Sequence, residues 1–216
     1  SSKYVNGARS TREDYYYADH FAETDSVSQS MVRLHLTGIP VVTKTYLEQD
    51  GRSVLVGGIK HCFDTILNSD GKLMAVPTMI ESADTDATLQ SSDVVWYKNA
   101  TYQYNNEGRI IQATDANGIP TSYIWGYGGL YPVAQIVNAT ISQIEALGGM
   151  FSNISESTLD DTLDATSDTL LRTLPNASIT TYKYKPMVGV VSITAPNGLT
   201  TTYTYTKNGK LHQVIK

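Results

Sequence analysis

Residues 102–123 read YQYNNEGRIIQATDANGIPTSY, and this stretch decides the fold. Tyr102, Tyr104 and then Ile110, Gln112 and Thr114 keep the two-residue alternation of a strand with one face turned inward. Residues 105–108 and 115–118 interrupt it, and each interruption ends in Gly, at Gly108 and Gly118. A tight hairpin needs a residue at positive φ, which Gly supplies, and Asn or Asp ahead of it tolerates the neighbouring left-handed position. The spacing predicts strand, turn, strand, turn: a hairpin cassette.

The cassette recurs near the end of the chain. Tyr104, Gly108, Arg109, Ile110 and Gln112 are matched in spacing by Tyr205, Gly209, Lys210, Leu211 and Gln213. Asp115, Gly118, Thr121 and Tyr123 are matched by Ala195, Gly198, Thr201 and Tyr203. One hairpin alone is marginal in water, so a unit that repeats predicts an array in which each hairpin buries its face against the next.

The order Tyr-x-x-x-Gly-Arg followed by Asp-x-x-Gly-x-x-Thr-x-Tyr resembles the YD-repeat pattern of the bacterial Rhs and teneurin-like family. The runs at 119–127 and 181–190 are similar to its Bacteroidetes branch. The resemblance is strongest over 102–216 and extends more weakly through 39–81. This chain departs from the pattern where Asn105 and Thr206 replace the Asp of the Tyr-Asp pair, and where Ala195 replaces the Asp that stands at 115. The resemblance implies a segment of a much longer exported polypeptide, extracellular or at the cell surface. In that family the sheets wrap into a shell around a variable C-terminal domain, so the expected partner is the remainder of the same polypeptide. Gly108, Gly118, Gly198 and Gly209 would set the turns, and Tyr104, Tyr123, Tyr203 and Tyr205 would pack between hairpins.

Composition agrees with a sheet that keeps one wet face. Apolar residues make up 41% of the 216, and 15 Tyr against 3 Phe supply rings with a polar tip. A net charge of -5 gives no electrostatic footprint for nucleic acid, and no basic cluster stands out locally. The single cysteine, Cys62, excludes an intrachain disulfide and reads as a small buried apolar residue. No run approaches the length of a membrane span. The chain opens at Ser1 and not at Met, which reads as a fragment.

Taken in order, residues 1–30 read as a polar lead-in holding one short strand at most. Its run Tyr15-Tyr16-Tyr17 is either an edge strand or a stacking platform. Residues 31–98 read as an antiparallel meander, with strands over 31–36, 39–46, 53–63 and 73–81 and turns at Gly51 and Gly71. Pro40 belongs at a strand start or an edge, and Gly57-Gly58 at a bulge. Residues 82–92 read as a solvated loop, whose Asp84 and Asp86 lack the spacing of a calcium loop. Residues 99–137 and 175–216 hold the cassettes. Between them, residues 138–174 read as a helical insertion, carried first by Ile141, Ile144 and Leu147 and then by Leu159, Leu163, Leu170, Leu171 and Leu174. Ser155 or Ser157 would cap the second helix, with Asp160 and Asp161 in its first turn. The fold class is therefore mainly β: an antiparallel meander of YD-repeat-like hairpins in a twisted sheet, with a helical insertion.

The four histidines are far apart, and no nucleotide-binding, zinc or nucleophile motif is present, so the sequence reads against an enzyme and calls for no cofactor. One binding surface is suggested. Trp125, Tyr127 and Tyr131 fall on one side if their segment is extended, and such a row can stack on sugar rings or cap the sheet's apolar end. A glycan is thus the one ligand class to weigh. The last strand, with a bare edge, is a further place for self-association.

Overall fold

The structure, a computed structural model, describes residues 2–6, 9–84 and 94–216. The described residues are mainly β, with 13 strands among them that follow one another in chain order. The pairings are antiparallel, as hairpins following one another require. The chain divides into two units, 1–102 and 103–216.

The first unit holds β1 (Ser2–Asn6), β2 (Arg9–Tyr17), α1 (Ser26–Arg33), β3 (Pro40–Gln49), β4 (Arg52–Leu67), β5 (Leu73–Asp84) and most of β6 (Val95–Tyr104). β3 and β4 meet at a two-residue turn, Asp50 at φ 52° and Gly51 at φ 74°, the twist that suits a right-handed ribbon. Pro40 opens β3, where its missing N–H costs no ladder bond. The register of β3 and β4 slips beside Gly57, so a bulge lies there as expected. The 82–92 loop lies mostly outside the described residues, and residues 82–84 continue β5.

Two expectations for this unit are corrected. Residues 1–30 are not a lead-in. β2 spans nine residues and pairs with β3 from Arg9↔Gln49 to Tyr17↔Pro40. Its sequence shows no apolar period because other contacts hold it. Arg12 Nε donates to Glu48 Oε1 at 3.1 Å, and the guanidinium stands 4.5 Å from the Tyr46 ring centroid. Residues 31–33 are helix and not strand. Asp25 accepts the Ser28 N–H at 2.7 Å and so starts α1, and the side-chain alternation of 31–36 yields to that cap. Met31 is buried, and the left-handed His35 at φ 58° follows the helix end.

The second unit continues with β7 (Ile110–Asp115), β8 (Pro120–Gly126), β9 (Tyr131–Val137), α2 (Ile141–Glu145), α3 (Ala165–Leu171), β10 (Ser178–Lys185), β11 (Gly189–Thr194), β12 (Thr200–Tyr205) and β13 (Leu211–Ile215). A short 3-10 turn, Gly149–Phe151, stands between the two helices. Gln112, Ser122, Ile136 and Ile179 share one face because they pair across successive strands. The insertion covers that face. Ile144, Phe151 and Leu171 are each 0% exposed there, beside Ile124, Val133 and Ile136 of the sheet. Each such side chain contributes about 1.5–3 kcal/mol by leaving water. Two polar ties fix the cover: Ser122 Oγ donates to the Ala139 carbonyl at 2.7 Å, and the Ile141 N–H donates to Gln112 Oε1 at 2.9 Å.

The insertion is less helical than its leucine spacing predicts. Residues 159–164 are not helix, and α3 starts only after Asp164, which accepts the Ser167 N–H at 2.7 Å. Ser155 and Ser157 therefore cap nothing in α3, and Asp160 and Asp161 precede it. The physical reason is competition from the sheet. The Leu159 N–H donates to the Trp125 carbonyl at 2.8 Å, and the carbonyls of Leu159 and Asp161 accept from Gly128 and Tyr127. Leu170, which the stripe places inward, is 36% exposed.

Candidate functional site

One turn recurs along the chain. In residues 68–72, 105–109, 115–119, 195–199 and 206–210, the first N–H donates to the fifth carbonyl and the fourth N–H to the first carbonyl. The fourth residue is always Gly, at φ between 73° and 80°. This is the three-residue hairpin loop that ends in a left-handed residue. The first side chain then closes the turn from inside. Asn105 Oδ1 accepts the N–H groups of Glu107 at 3.0 Å and Arg109 at 2.9 Å. Asp115 Oδ1 accepts those of Asn117 and Ile119, both at 2.9 Å. Asn68 Oδ1 does the same for Asp70 and Lys72. Thr206 Oγ1 takes only the Lys210 N–H, at 3.2 Å, and at Ala195 the role passes to Asn197, whose Oδ1 takes the Leu199 N–H at 3.0 Å.

The departures from the Tyr-Asp pattern thus have a physical account: the turn needs an acceptor oxygen and not a charge. Asn105 is 1% exposed, and a neutral amide avoids burying a carboxylate. Its Nδ2 has no hydrogen-bond partner among the described residues.

The remaining cassette residues build contacts between hairpins. Arg109 Nε donates to the Gly129 carbonyl at 2.6 Å, and its guanidinium fills the space a Cβ on Gly129 would take. Tyr205 Oη donates to the Val190 carbonyl at 2.7 Å, over Gly189. Thr121 and Tyr123 face Val137 and Gln135, while Thr201 and Tyr203 face Ile193 and Val214. Tyr104 ends β6, half-buried.

Trp125, Tyr127 and Tyr131 do not form one row. The chain reverses between Trp125, which closes β8 with Gly126, and Tyr131, which opens β9, and Tyr127 sits in the turn at φ 55°. The extended segment that the spacing argument required is therefore absent. Trp125 is half-buried on the core, its Nε1 donating to the Ile110 carbonyl at 2.8 Å. Tyr131 stacks on Tyr184 at 4.6 Å with 14° between planes, and Tyr127 meets both rings edge-on. Tyr127 Oη accepts the Tyr184 N–H and donates to the Tyr184 carbonyl. Burial pushes the phenols of Tyr182 and Tyr184 up. Sequence reasoning missed Tyr184, although Thr181-Tyr182-Lys183-Tyr184 carries the strand period that brings it beside Tyr131.

The first unit has a separate cleft of about 280 Å³ between α1 and the strands, lined by Phe21, Val27, Met31, Val42 and Phe63 with Lys60 and Cys62. Lys60 Nζ lies 2.9 Å from Glu81 Oε2, which raises the lysine's pKa. Cys62 Sγ is 3.6 Å from the same oxygen. Desolvation pushes the thiol up, away from the thiolate that nucleophilic chemistry needs. Cys62 is half-buried and polar-bonded, so it is not the simple apolar filler its sequence suggests. The triple tyrosine lies in β2, with Tyr16 5.5 Å from Lys44 Nζ and edge-on to His20. Among the described residues, no three His, Cys, Asp or Glu side chains gather as metal ligands, and no helix is long and apolar enough to cross a membrane.

No family model and no characterised protein matches this sequence. Among solved structures, 95% of the chain aligns with the crystal structure of TcdB2-TccC3 without its hypervariable C-terminal region, at 12% identity and a TM-score of 0.45. The aligned part is 10% of that chain, and a likeness of this strength carries no argument.

Proposed function

We propose that this chain is a structural β-repeat segment of an exported Rhs or YD-repeat-type polypeptide, a non-catalytic scaffold of the kind whose hairpins continue into a shell. The observation that carries the reading is the turn that recurs at Asn68, Asn105, Asp115, Ala195 and Thr206, each with Gly three residues later. A catalytic site concentrates its polar groups at one convergent place. Here the hydrogen-bonding oxygens of Asn105, Asp115, Tyr127 and Tyr205 are spent on backbone groups of this chain. That use suits a repeat whose product is its own sheet. The similarity to the Bacteroidetes branch, the extracellular or surface location and the remainder of a longer polypeptide as partner belong to this proposal.

The test is glycan-array binding by the chain beside a Tyr131→Ala variant, with circular dichroism confirming that both are folded. The scaffold reading expects no saturable binding by either. Saturable binding by the parent that the folded variant loses would make the aromatic cluster a recognition surface and overturn it.

A further inference from the structure

Four tyrosines of the second unit, Tyr127, Tyr131, Tyr182 and Tyr184, lie ring against ring, and their contacts differ in angle. Tyr127 meets Tyr131 at 5.7 Å and Tyr184 at 5.9 Å between centroids, with the planes at 82° and 90°. Tyr182 is tilted by 32° to Tyr184 at 6.3 Å. Tyr131 and Tyr184 stack, at 4.6 Å with 14° between planes. That separation is at the short end of the about 4.5–7 Å typical of aromatic pairs.

The backbone holds the stack in place. The N–H and the carbonyl of Tyr184 are both bonded to Tyr127 Oη, at 2.9 and 3.0 Å. Tyr131 is set by its pairing with Gly126 and by Pro132, whose ring stiffens the chain beside it. Both rings are half-buried, so each keeps a part open to solvent.

The angle between rings matters for one reaction of phenols. When an oxidant removes a hydrogen atom, the unpaired electron spreads onto the two Cε carbons beside the hydroxyl, in orbitals that project along the ring normal. Two stacked rings aim those orbitals at each other, and an edge-on pair does not. Rings already held face to face need little further ordering to react.

We infer that Tyr131 and Tyr184 form an oxidative cross-linking site, at which hydrogen peroxide, acting through a haem peroxidase, joins them as dityrosine. Each phenol gives up one electron and one proton, and a Cε–Cε bond forms between the rings. The hydrogen on each bonded carbon then leaves as a proton, and each phenol oxygen takes one up. Hydrogen peroxide receives the two electrons and two protons and ends as two waters. The bond closes a loop over residues 131–184, which holds the whole insertion, in a chain whose single cysteine allows no intrachain disulfide. A cross-link across so long a loop stabilises by restricting the unfolded chain. Only the stack and an outside oxidant are required, so the site is independent of the scaffold role proposed above.

The test is oxidation of the full chain by a haem peroxidase and hydrogen peroxide, followed by tandem mass spectrometry of tryptic fragments from the monomer band. The expected product is lighter by two hydrogens, carries dityrosine fluorescence, and joins fragment 110–172, at Tyr131, to the fragment that begins at Tyr184. Cleavage after Lys183 separates Tyr182 from that fragment. The urea midpoint of the product should be higher than that of the untreated chain. Tyr131→Phe should lose the product and Tyr182→Phe should keep it, with circular dichroism confirming that both are folded. Absence of the 131–184 link in the folded chain, an equal yield when the chain is oxidised in urea, or a main link through Tyr127 would overturn the inference. An unchanged urea midpoint in the linked chain would overturn its role as a clasp.

Discussion

The Tyr127 hydroxyl accepts the Tyr184 N–H at 2.9 Å and donates to the Tyr184 carbonyl at 3.0 Å, so one side chain replaces both partners of a ladder position. The register of β10 against β11 slips between Lys183 and Tyr184, and the phenol satisfies the backbone beside that bulge. Tyr127→Phe keeps the ring contacts and strips both hydrogen bonds. It should cost about 1–3 kcal/mol in urea unfolding, since the Tyr184 groups are left without their partner. A loss within experimental error would mean that water takes the place of the hydroxyl.

Gly126 and Gly118 separate space from conformation. A Cβ on Gly126 meets the Asp161 carbonyl oxygen of the insertion and lies 2.6 Å from Val133 Cγ1 of the neighbouring strand β9. Gly126→Ala should therefore destabilise by about 1–3 kcal/mol or more and loosen the insertion, seen as faster amide exchange at Leu159. At Gly118 nothing lies within 4 Å of a Cβ, and only φ of 80° opposes a side chain. Gly118→Ala should cost about 1–2 kcal/mol without changing exchange in the insertion. Equal exchange in the two variants would remove the distinction.

Acid should act through the helix caps. Hydrogen bonds from Ser28 and from the backbone of Ser167 hold the Asp25 and Asp164 carboxyls below their ordinary range. A depressed folded pKa contributes stability above the unfolded value, and that stability is lost as pH falls through the folded one. The urea midpoint should thus be flat from pH 5 to 7 and fall below about pH 4. Asp164→Asn keeps the cap without the charge and should flatten part of the fall. An unchanged acid profile in that variant would assign the fall to other carboxylates.

Much of this fold was legible in the residues, for identifiable reasons. Gly108, Gly118, Gly198 and Gly209 are local requirements of the chain, so the turns could be placed without tertiary knowledge. The strand over residues 9–17 was not legible, because Arg12, Glu48 and Tyr46 hold it by pairs that no single-strand period encodes. The start of α3 was misplaced for a related reason. Leu159 and Leu163 do face the core, but from a segment whose backbone bonds to Trp125 and Tyr127, not to itself. At the candidate site, spacing alone set Trp125, Tyr127 and Tyr131 on one side of an extended segment, and the reversal at Gly128 and Gly129 instead puts Trp125 and Tyr131 on two strands with Tyr127 in the turn. The recurrence at Asn68 was open to view as Asn-x-x-Gly.

The measurement that tests the repeated turn most directly is urea unfolding of Asn105→Ala beside Asn106→Ala. Asn105 is buried and its Oδ1 holds two backbone N–H groups, while Asn106 is exposed in the same loop. The account predicts a loss of about 1–3 kcal/mol for Asn105→Ala, the cost of orphaning those donors, and a change within about 0.5 kcal/mol for Asn106→Ala. Equal effects from the two substitutions would contradict the claim that the buried Asn105 side-chain oxygen holds this turn together.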